Sequence, residues 1–273
     1  MSLFDRSLGL ARSLAIYHAI PLRQRRLRRF YAAFVGAGAL VFDIGAHAGN
    51  RARAFAALGC RVVALEPQPD FARLLRTLFA GSPRVVVEEA AVSAAIGRAT
   101  LALSERTPTV TTLATAWREA RAGEPDFARV RWNHQIEVDT TTLDTLIERF
   151  GMPDFVKLDV EGSEPAILAG VSQPVRQLSF EFLPRALDQV EACLTRLHAL
   201  GSYRFNWSAG ESYRLASSLW LNERELLAAL RDSSAQHRPG DVYAQLVNPL
   251  QGPDLGEVLH GKHGQPIRHL TTS

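Results

Sequence analysis

Short apolar runs alternate along most of the chain with segments in which apolar residues recur every three or four positions. The short runs predict buried strands, and the wider spacing predicts helices that cover them. The predicted strands span about 40–44, 61–66, 84–92, 154–160, 177–182, 203–207 and 242–247. The predicted helices span about 50–58, 70–79, 144–150, 164–169, 186–200 and 223–231. This alternation predicts an α/β fold with a doubly wound, mostly parallel sheet that has helices on both faces.

Segments of different character flank the predicted sheet. An apolar stripe ended by Gly36 predicts a helical extension over residues 1–37, before a domain at 38–248. Residues 249–273 are rich in glycine, proline and histidine, so we expect a flexible tail there.

Within the domain, residues 104–135 show little apolar rhythm and contain several threonines, prolines and glycines. Long segments of this kind are often functional, so we expect this one to close over a ligand as a lid. Its Trp117 and Trp132 are expected either to cover the ligand or to pack inward.

Composition narrows the class of protein. The 273 residues are 47% hydrophobic and 22% charged, with a net charge of +3. This composition is typical of a globular domain. The net charge is too small to indicate nucleic-acid binding by itself. No apolar run has the length of a membrane span. Cys60 and Cys193 have no cysteine or histidine at metal spacing, so we expect buried free thiols and a reducing, cytoplasmic compartment. Arginines crowd residues 23–29, which predicts either a solvated helix face or a peripheral contact with an anionic surface.

The most informative local pattern is Val41–Asn50, in which a strand ends in an acid and leads through a glycine turn into a helix. Glycines let backbone N–H groups approach a ligand at a helix N-terminus. The acid would repel a pyrophosphate but suits an ammonium group. S-adenosylmethionine (SAM) carries an α-amino group beside a carboxylate, and a sulfonium. The residues of this turn that we expect to bind SAM are Asp43, Gly45, Ala46, His47 and Asn50.

A second acid, Glu66, ends the next strand and follows Gly45 by about 20 residues. An acid at this spacing accepts the ribose hydroxyls of an adenosine ligand. A dinucleotide is a weaker interpretation because G-x-G-x-x-G is absent, and the absence of G-x-x-x-x-G-K-[ST] excludes a P-loop. Pro67 on one side and Glu89–Ala90 on the other are predicted to flank the adenine ring, with Glu89 or a backbone N–H at its polar edge.

The segment Lys157–Glu164 is unusually charged for a central strand and the turn after it. Lys157 and Asp159 share one face of the strand because side chains alternate, and Glu161 continues that face into the turn. A buried charge without a partner is costly, so these side chains are expected to pair or to line a wet cleft. One expected pair joins Lys157 to Glu181 of the neighbouring strand, which leaves Asp159 and Glu161 at the rim.

Together these motifs closely resemble the FkbM family of SAM-dependent methyltransferases. The resemblance spans about residues 38–247 and is carried by Phe42–Asn50, Ala64–Pro67, Thr142–Asp144, Phe155–Glu164, Phe180–Glu181 and Gly240–Ala244. It implies the seven-stranded, Rossmann-like sheet of class I methyltransferases, with SAM as cofactor and S-adenosylhomocysteine (SAH) as product. It also implies O-methylation of a hydroxyl on a sugar, glycan or secondary metabolite. His47 stands where many members of the family have asparagine.

Methyl transfer to an alcohol is expected to need a base, because a hydroxyl is a poor nucleophile. Asp159 and Glu161 are the candidates by position, and Asp159 is also expected beside SAM. His134 and His47 are less favoured. A divalent metal held by Asp159, Glu161 and Glu181 is an alternative that we do not favour, because the lysine ammonium on the same strand would compete.

Two other function classes stay open on the sequence. A nucleic-acid methyltransferase would use the arginine segment as a phosphate grip, but no N-P-P-Y-type pocket follows the fourth strand. A non-catalytic SAM-binding module would keep Asp43 and Glu66 and would not need charge on that strand. A small-molecule or glycan acceptor is therefore the expected partner, and the sequence specifies neither its identity nor the oligomeric state.

Overall fold

The computed structural model describes residues 21–104, 111–121, 124, 127, 130–232 and 238–247. Its strands are β1 (Leu40–Ile44), β2 (Arg61–Leu65), β3 (Val85–Glu88), β4 (Ala91–Val92), β5 (Gly97–Ser104), β6 (Trp132–Thr141), β7 (Phe155–Leu158), β8 (Gln177–Phe182), β9 (Tyr203–Ala209) and β10 (Gly240–Leu246). Its helices are α1 (Pro21–Tyr31), α2 (Asn50–Ala57), α3 (Pro69–Leu78), α4 (Thr115–Arg121), α5 (Leu143–Phe150), α6 (Glu164–Ala169), α7 (Leu187–Leu200) and α8 (Glu223–Arg231). The predicted tail at 249–273 lies outside the described residues, and the domain boundaries at 37 and 248 stay predictions.

The central sheet contains seven strands in the order β3-β2-β1-β7-β8-β10-β9. Strands β1, β2, β3, β7 and β8 pair in parallel, whereas β10 is antiparallel to both of its neighbours. The chain runs outward from β1 to β3 and then returns to the other side of β1 as β7. Ligands of such sheets bind beyond the carboxyl ends of the strands at this switch point. The predicted doubly wound, mostly parallel, seven-stranded α/β sheet is confirmed.

Side-chain alternation along the strands divides the core into two layers. Phe42 and Ile44 of β1 pack in one cluster with residues of α5, α6 and α7. Val41 points to the opposite face and packs in a second cluster with residues of α1, α2 and α3. Asp43 and Lys157 lie on this second face by the same alternation. Charged side chains are unusual there, because the neighbouring residues form an apolar cluster.

Helix α1 belongs to the predicted N-terminal extension and packs into the second cluster. Tyr31 is 1% exposed, and its ring centroid lies 4.4 Å from that of Phe55 and 5.8 Å from that of Phe155. The described part of the extension therefore shares the core of the sheet. Among the helices that the structure describes, none has the length and apolar character needed to cross a bilayer.

Helix α5 shows how local sequence sets an element boundary next to the central strand β7. The Oγ1 of Thr142 accepts a hydrogen bond from the N–H of Thr145 at 3.1 Å, as expected of an N-cap. Gly151 follows the helix with a φ of +98°, and its N–H donates to Ile147. The predicted helix that ends at Phe150 is confirmed, with Thr142 as its N-cap.

The third predicted strand does not continue to Val92, which corrects the sequence interpretation. Strand β3 ends at Glu88, and β4 pairs instead with β6 in a separate three-stranded sheet, β4-β6-β5. The chain turns because Ala91 packs with Leu101 and Val138, while Val92 packs in the main core.

The predicted lid, residues 104–135, falls partly outside the described residues. Its described part includes helix α4, whose Trp117 is only 3% exposed. A Cβ built on Gly162 would lie 2.3 Å from the Trp117 ring, so this indole packs directly on the glycine. The inward alternative therefore holds for Trp117, whereas Trp132 is half-buried and begins β6.

Candidate active site

A cavity of about 200 Å³ opens at the carboxyl ends of the central strands, where the switch point predicts a ligand site. The residues predicted from the sequence that line it are Asp43, Gly45, Ala46, His47, Asn50, Glu66, Pro67, Ala90, Asp159 and Glu161. Tertiary structure thus brings together four separate parts of the chain, the turns after β1, β2, β3 and β7.

The glycine turn after β1 is held closely against the turn after β7. Gly45 has a φ of +80°, and a Cβ built on it would lie 2.0 Å from the carbonyl oxygen of Asp159. Only glycine fits this contact, because any side chain would overlap that carbonyl. The turn therefore brings backbone close to the cavity, as the pattern predicted.

Glu66 ties this turn to the end of β2. Its carboxylate oxygens accept hydrogen bonds from the N–H of His47 at 2.8 Å and of Gln68 at 2.9 Å. The side chain is buried, and burial raises the pKa of Glu66 to about 7 despite these two bonds. Glu66 thus has a structural role beside its predicted contact with ribose.

Asp43 is fully buried at the floor of the cavity. Neither carboxylate oxygen has a hydrogen-bond partner among the described residues, although the N–H of Ala52 faces it closely enough to lower its pKa slightly. Burial dominates and raises the pKa of Asp43 to about 6, against the nearby cations of Arg51 and Lys157. A buried carboxylate with free lone pairs is a fitting acceptor for the ammonium group of SAM.

Lys157 pairs with Asp241 and not with Glu181, which corrects the expected ion pair. Its Nζ lies 2.9 Å from Oδ1 of Asp241 and 2.8 Å from the carbonyl oxygen of Leu158. Lys157 stands opposite Ser179 in the register of β7 and β8, so Glu181 lies two residues further toward the rim. The antiparallel strand β10 brings Asp241 to the same edge of the sheet.

Asp159 lies between two cations. Its Oδ2 is 3.1 Å from Nη1 of Arg51 and 3.7 Å from Nζ of Lys157. Burial by itself would raise the pKa of Asp159, but Lys157 and Arg51 together hold it below its ordinary value. A carboxylate stabilised in this way is a weak base.

Glu161 and Glu181 have the opposite electrostatic environment. Within the described residues, neither carboxylate makes an ion pair or a side-chain hydrogen bond. Burial raises the pKa of Glu161 well above its ordinary value, and the carboxylates of Glu181 and Asp159 raise it further. Burial and neighbouring acids raise the pKa of Glu181 in the same way. Both carboxyl groups therefore hold a proton more strongly than an ordinary glutamate does.

Carboxylate oxygens of Asp159, Glu161 and Glu181 all lie within 4.8 Å of one another. Three oxygen ligands in this arrangement can hold a divalent cation such as Mg²⁺. Lys157 Nζ lies 3.7 Å from Oδ2 of Asp159 and also pairs with Asp241, and the expected competition between this ammonium group and a metal stays a prediction.

The backbone of the turn after β7 is fixed by its own polar contacts. Glu161 adopts a φ of +52°, and its carbonyl oxygen accepts a hydrogen bond from Oγ1 of Thr112 at 2.6 Å. The carboxylate of Glu164 accepts from the N–H of Gly162 at 3.0 Å and of Val160 at 3.3 Å. These bonds fix the backbone that carries the Glu161 side chain, and they give Glu164 a structural role.

The surroundings of three other sequence candidates bear on the roles predicted for them. Glu89 does not line the cavity, because its carboxylate accepts from Nη1 of Arg76 at 2.6 Å on the outside of the sheet. His47 packs on Phe71 with ring centroids 4.1 Å apart, and burial lowers the pKa of His47 to about 4. His134 lies on β6 and is not among the residues that line the cavity. His47 and His134 therefore stay less favoured than Asp159 and Glu161 as candidates for the base.

Two residues of the site were missed by sequence reasoning. Arg51 follows Asn50 on α2 and lines the cavity, and Asp241 engages Lys157 from the last strand. Asp241 stands in the Gly240–Ala244 motif, so its presence there was a usable signal. For Arg51 there was none, because a basic residue in the first turn of a helix is commonly solvated.

The sheet order and the cavity at its switch point agree with the expected class I methyltransferase fold. A family model, the methyltransferase FkbM domain, matches residues 43–206, which is more than half of the chain. The chain belongs to the FkbM methyltransferase family, as the motifs indicated, and SAM is accordingly its cofactor. Among curated proteins, no significant sequence match was found.

Solved structures with a similar arrangement of strands and helices include methyltransferases of low sequence identity. The O-methyltransferase from Bacillus cereus in complex with SAH is 15% identical, with 89% of each chain covered and a TM-score of 0.42. The precorrin-6y C5,15-methyltransferase from Geobacter metallireducens is 13% identical, with 83% of this chain and 86% of that chain covered and a TM-score of 0.41. The SAM-dependent O-methyltransferase from Thermotoga maritima is 13% identical, with 84% and 66% covered and a TM-score of 0.39. None of these likenesses bears on the acceptor of this chain.

Proposed function

We propose that this methyltransferase acts on a hydroxyl oxygen of a small-molecule or glycan acceptor, with Glu161 as the base that takes the hydroxyl proton. The observation that carries the proposal is the Glu161 carboxylate. It lines the cavity, lacks a cationic partner among the described residues, and has a raised pKa. An acceptor hydroxyl needs such a group because it is a poor nucleophile when neutral.

The SAM-binding roles follow from the same cavity. Asp43 receives the α-ammonium group, because its buried carboxylate is otherwise without a hydrogen-bond partner among the described residues. Glu66 faces the ribose, with Pro67 and Ala90 beside the adenine. When bound, SAM supplies an electrophilic methyl group on its sulfonium. The residues of the chain then position the acceptor oxygen, and this positioning supplies much of the rate acceleration.

Between the two predicted bases, the electrostatic environment favours Glu161. Arg51 and Lys157 stabilise the charged form of Asp159, which lowers its affinity for a proton. Glu161 faces the acids Glu181 and Asp159, and burial acts in the same direction. Its higher proton affinity makes it the better acceptor once it is ionised. Turnover should therefore rise with pH as the Glu161 carboxyl group loses its proton.

The test compares conservative carboxamide variants in a methyl-transfer assay. The protein is incubated with methyl-labelled SAM and a pool of hydroxylated sugars and metabolites, and the labelled product is identified by mass spectrometry. Glu161→Gln is expected to lose about 10²–10⁴-fold in rate while SAH binding is kept. Glu148→Gln, on the exposed face of α5, serves as the matched control. Wild-type turnover by Glu161→Gln would exclude Glu161 as the base, and Asp159→Asn then tests the other candidate.

A second measurement uses the neighbour of the base. Glu181→Gln removes a negative charge that raises the pKa of Glu161. The acidic limb of the pH–rate profile is therefore expected to move to lower pH in this variant. An unchanged acidic limb would show that the two glutamates do not control turnover. A separate experiment treats the enzyme with EDTA and then adds Mg²⁺, and recovery of activity would assign the carboxylates to a metal instead.

A nucleic acid is the alternative acceptor. Arg25, Arg26, Arg28 and Arg29 of α1 are exposed, whereas Arg23 pairs with Glu211 at 2.8 Å. Oligonucleotides are therefore included in the acceptor pool, and label in that fraction would favour this class. A SAM-binding module without catalysis would give no labelled product in any fraction.

We place the reaction in the cytoplasm, because the thiols of Cys60 and Cys193 are free.

A further inference from the structure

The cavity has a marked imbalance of charge along its wall. Its acidic lining residues are Asp43, Glu66, Asp159, Glu161, Glu181 and Glu211. Among the described residues that line it, Arg51 is the single lysine or arginine. SAM carries a carboxylate on its methionine part, and Arg51 is the single arginine or lysine of the described lining that can balance this charge.

Arg51 has donors left for a ligand. It lies in the first turn of α2, and its side chain is 19% exposed. Nη1 is paired with Oδ2 of Asp159 at 3.1 Å, and Nη2 is 4.0 Å from Oε1 of Glu211, beyond hydrogen-bond distance. Nε is buried and has no hydrogen-bond partner among the described residues. The edge formed by Nε and Nη2 is the side of the guanidinium that can take a carboxylate with two parallel N–H donors.

We propose that Arg51 binds the α-carboxylate of SAM through its Nε–Nη2 edge, while Asp43 takes the neighbouring ammonium group. The two groups of the methionine part then meet two opposite charges on adjacent elements, β1 and α2. Asp159 holds the guanidinium from its other side and fixes its plane. An arginine suits this role better than a lysine, because a lysine offers a point charge without the paired donors. The inference rests on SAM as cofactor and is independent of the acceptor.

The test removes the partner on each side of the contact. Binding of SAH and of its decarboxylated analogue, which lacks only the carboxylate, is measured by calorimetry for wild type, Arg51→Ala and Arg51→Lys. Wild type is expected to bind SAH roughly ten- to a hundredfold more tightly than the analogue, as for a charge-assisted pair. Arg51→Ala should lose this preference by weakening SAH binding, with the affinity for the analogue changed less than about threefold. Arg51→Lys should keep part of the preference.

Controls separate this contact from a general effect on the fold. Arg53→Ala changes an exposed arginine of the same helix and is expected to keep the wild-type preference. The wild-type comparison of the two ligands needs no variant and can overturn the proposal by itself. If Arg51→Ala fails to fold, the conservative Arg51→Lys variant shows whether the preference depends on this side chain. Equal affinity of wild type for both ligands would overturn the proposal. An equal loss for both ligands in Arg51→Ala would also overturn it, because Arg51 would then act only through Asp159. Failure to find a methyl acceptor leaves these binding results unaffected.

Discussion

Replacement of Lys157 by methionine tests whether the charge in the centre of the sheet is compensated by Asp241. The lysine side chain is fully buried, and its Nζ lies 2.9 Å from Oδ1 of Asp241, which is 14% exposed. Methionine has a similar length and packs well in a core. The variant therefore removes the cation and leaves Asp241 largely buried without its partner.

The expected loss of unfolding free energy follows from these contacts. Removing one partner of a buried ion pair costs about 3–5 kcal/mol, because the other charge stays buried. Asp159 adds little to this figure, since Arg51 remains 3.1 Å from it. The partial exposure of Asp241 places the expected loss near the lower end, at about 3 kcal/mol.

The assay is urea unfolding at neutral pH, followed by tryptophan fluorescence. The double variant Lys157→Met/Asp241→Asn removes both charges and should recover most of the loss, because no unpaired charge is left behind. Arg76→Met is the matched control: it breaks a shorter ion pair, 2.6 Å from Glu89, but both side chains are at least one-third exposed. That variant should lose less than about 1 kcal/mol. A loss in Lys157→Met no larger than in the control, or no recovery in the double variant, would refute the reasoning.

Three further predictions concern the cofactor site. SAH affinity should fall as the pH drops below about 6, by up to about tenfold per pH unit. The reason is that burial raises the pKa of Asp43 to about 6, and only its ionised form binds the ammonium group. Calorimetry of wild type and Asp43→Asn across this pH range checks the prediction, and a flat wild-type profile contradicts it. Glu66→Ala should weaken SAH binding by on the order of 1.5–3 kcal/mol in the same assay, whereas equal affinities would exclude its role. Gly45→Ala should destabilise the protein by at least about 1–2 kcal/mol, because its φ is +80° and the new Cβ would overlap the carbonyl oxygen of Asp159. Gly81→Ala, which meets nothing within 4 Å, is the control in thermal unfolding, and equal stability of the two variants would contradict the steric argument.

The parts of the site that lie within one strand and the turn after it were predictable from the sequence. Asp43, Gly45 and Glu66 follow apolar runs directly, and a parallel sheet places such positions at one edge. All three line the cavity. Local order along the chain was sufficient here, because backbone geometry alone brings the ends of neighbouring parallel strands together.

Contacts between distant segments were predicted less well. Glu89 follows β3 at the outer side of the sheet, where Arg76 of α3 lies close enough to pair with it. Trp117 comes from a segment without strong periodicity, yet it packs on Gly162 because that residue has no side chain. The direction of a side chain at a strand end depends on which helix or loop packs beside it, and the sequence does not specify that neighbour.

The sequence by itself determined the fold class, the family, the cofactor and the segments that form the cavity, because strand periodicity and glycine turns are local properties of the backbone. Only the tertiary structure decided how the charges are distributed. The antiparallel strand β10 brings Asp241 to Lys157, and α2 brings Arg51 to Asp159, at distances of 2.9 and 3.1 Å. As a result, the neighbours of the Glu161 carboxyl group are the acids Glu181 and Asp159. Proton affinity depends on burial and on the separation of charges in space, and residues far apart in sequence set both.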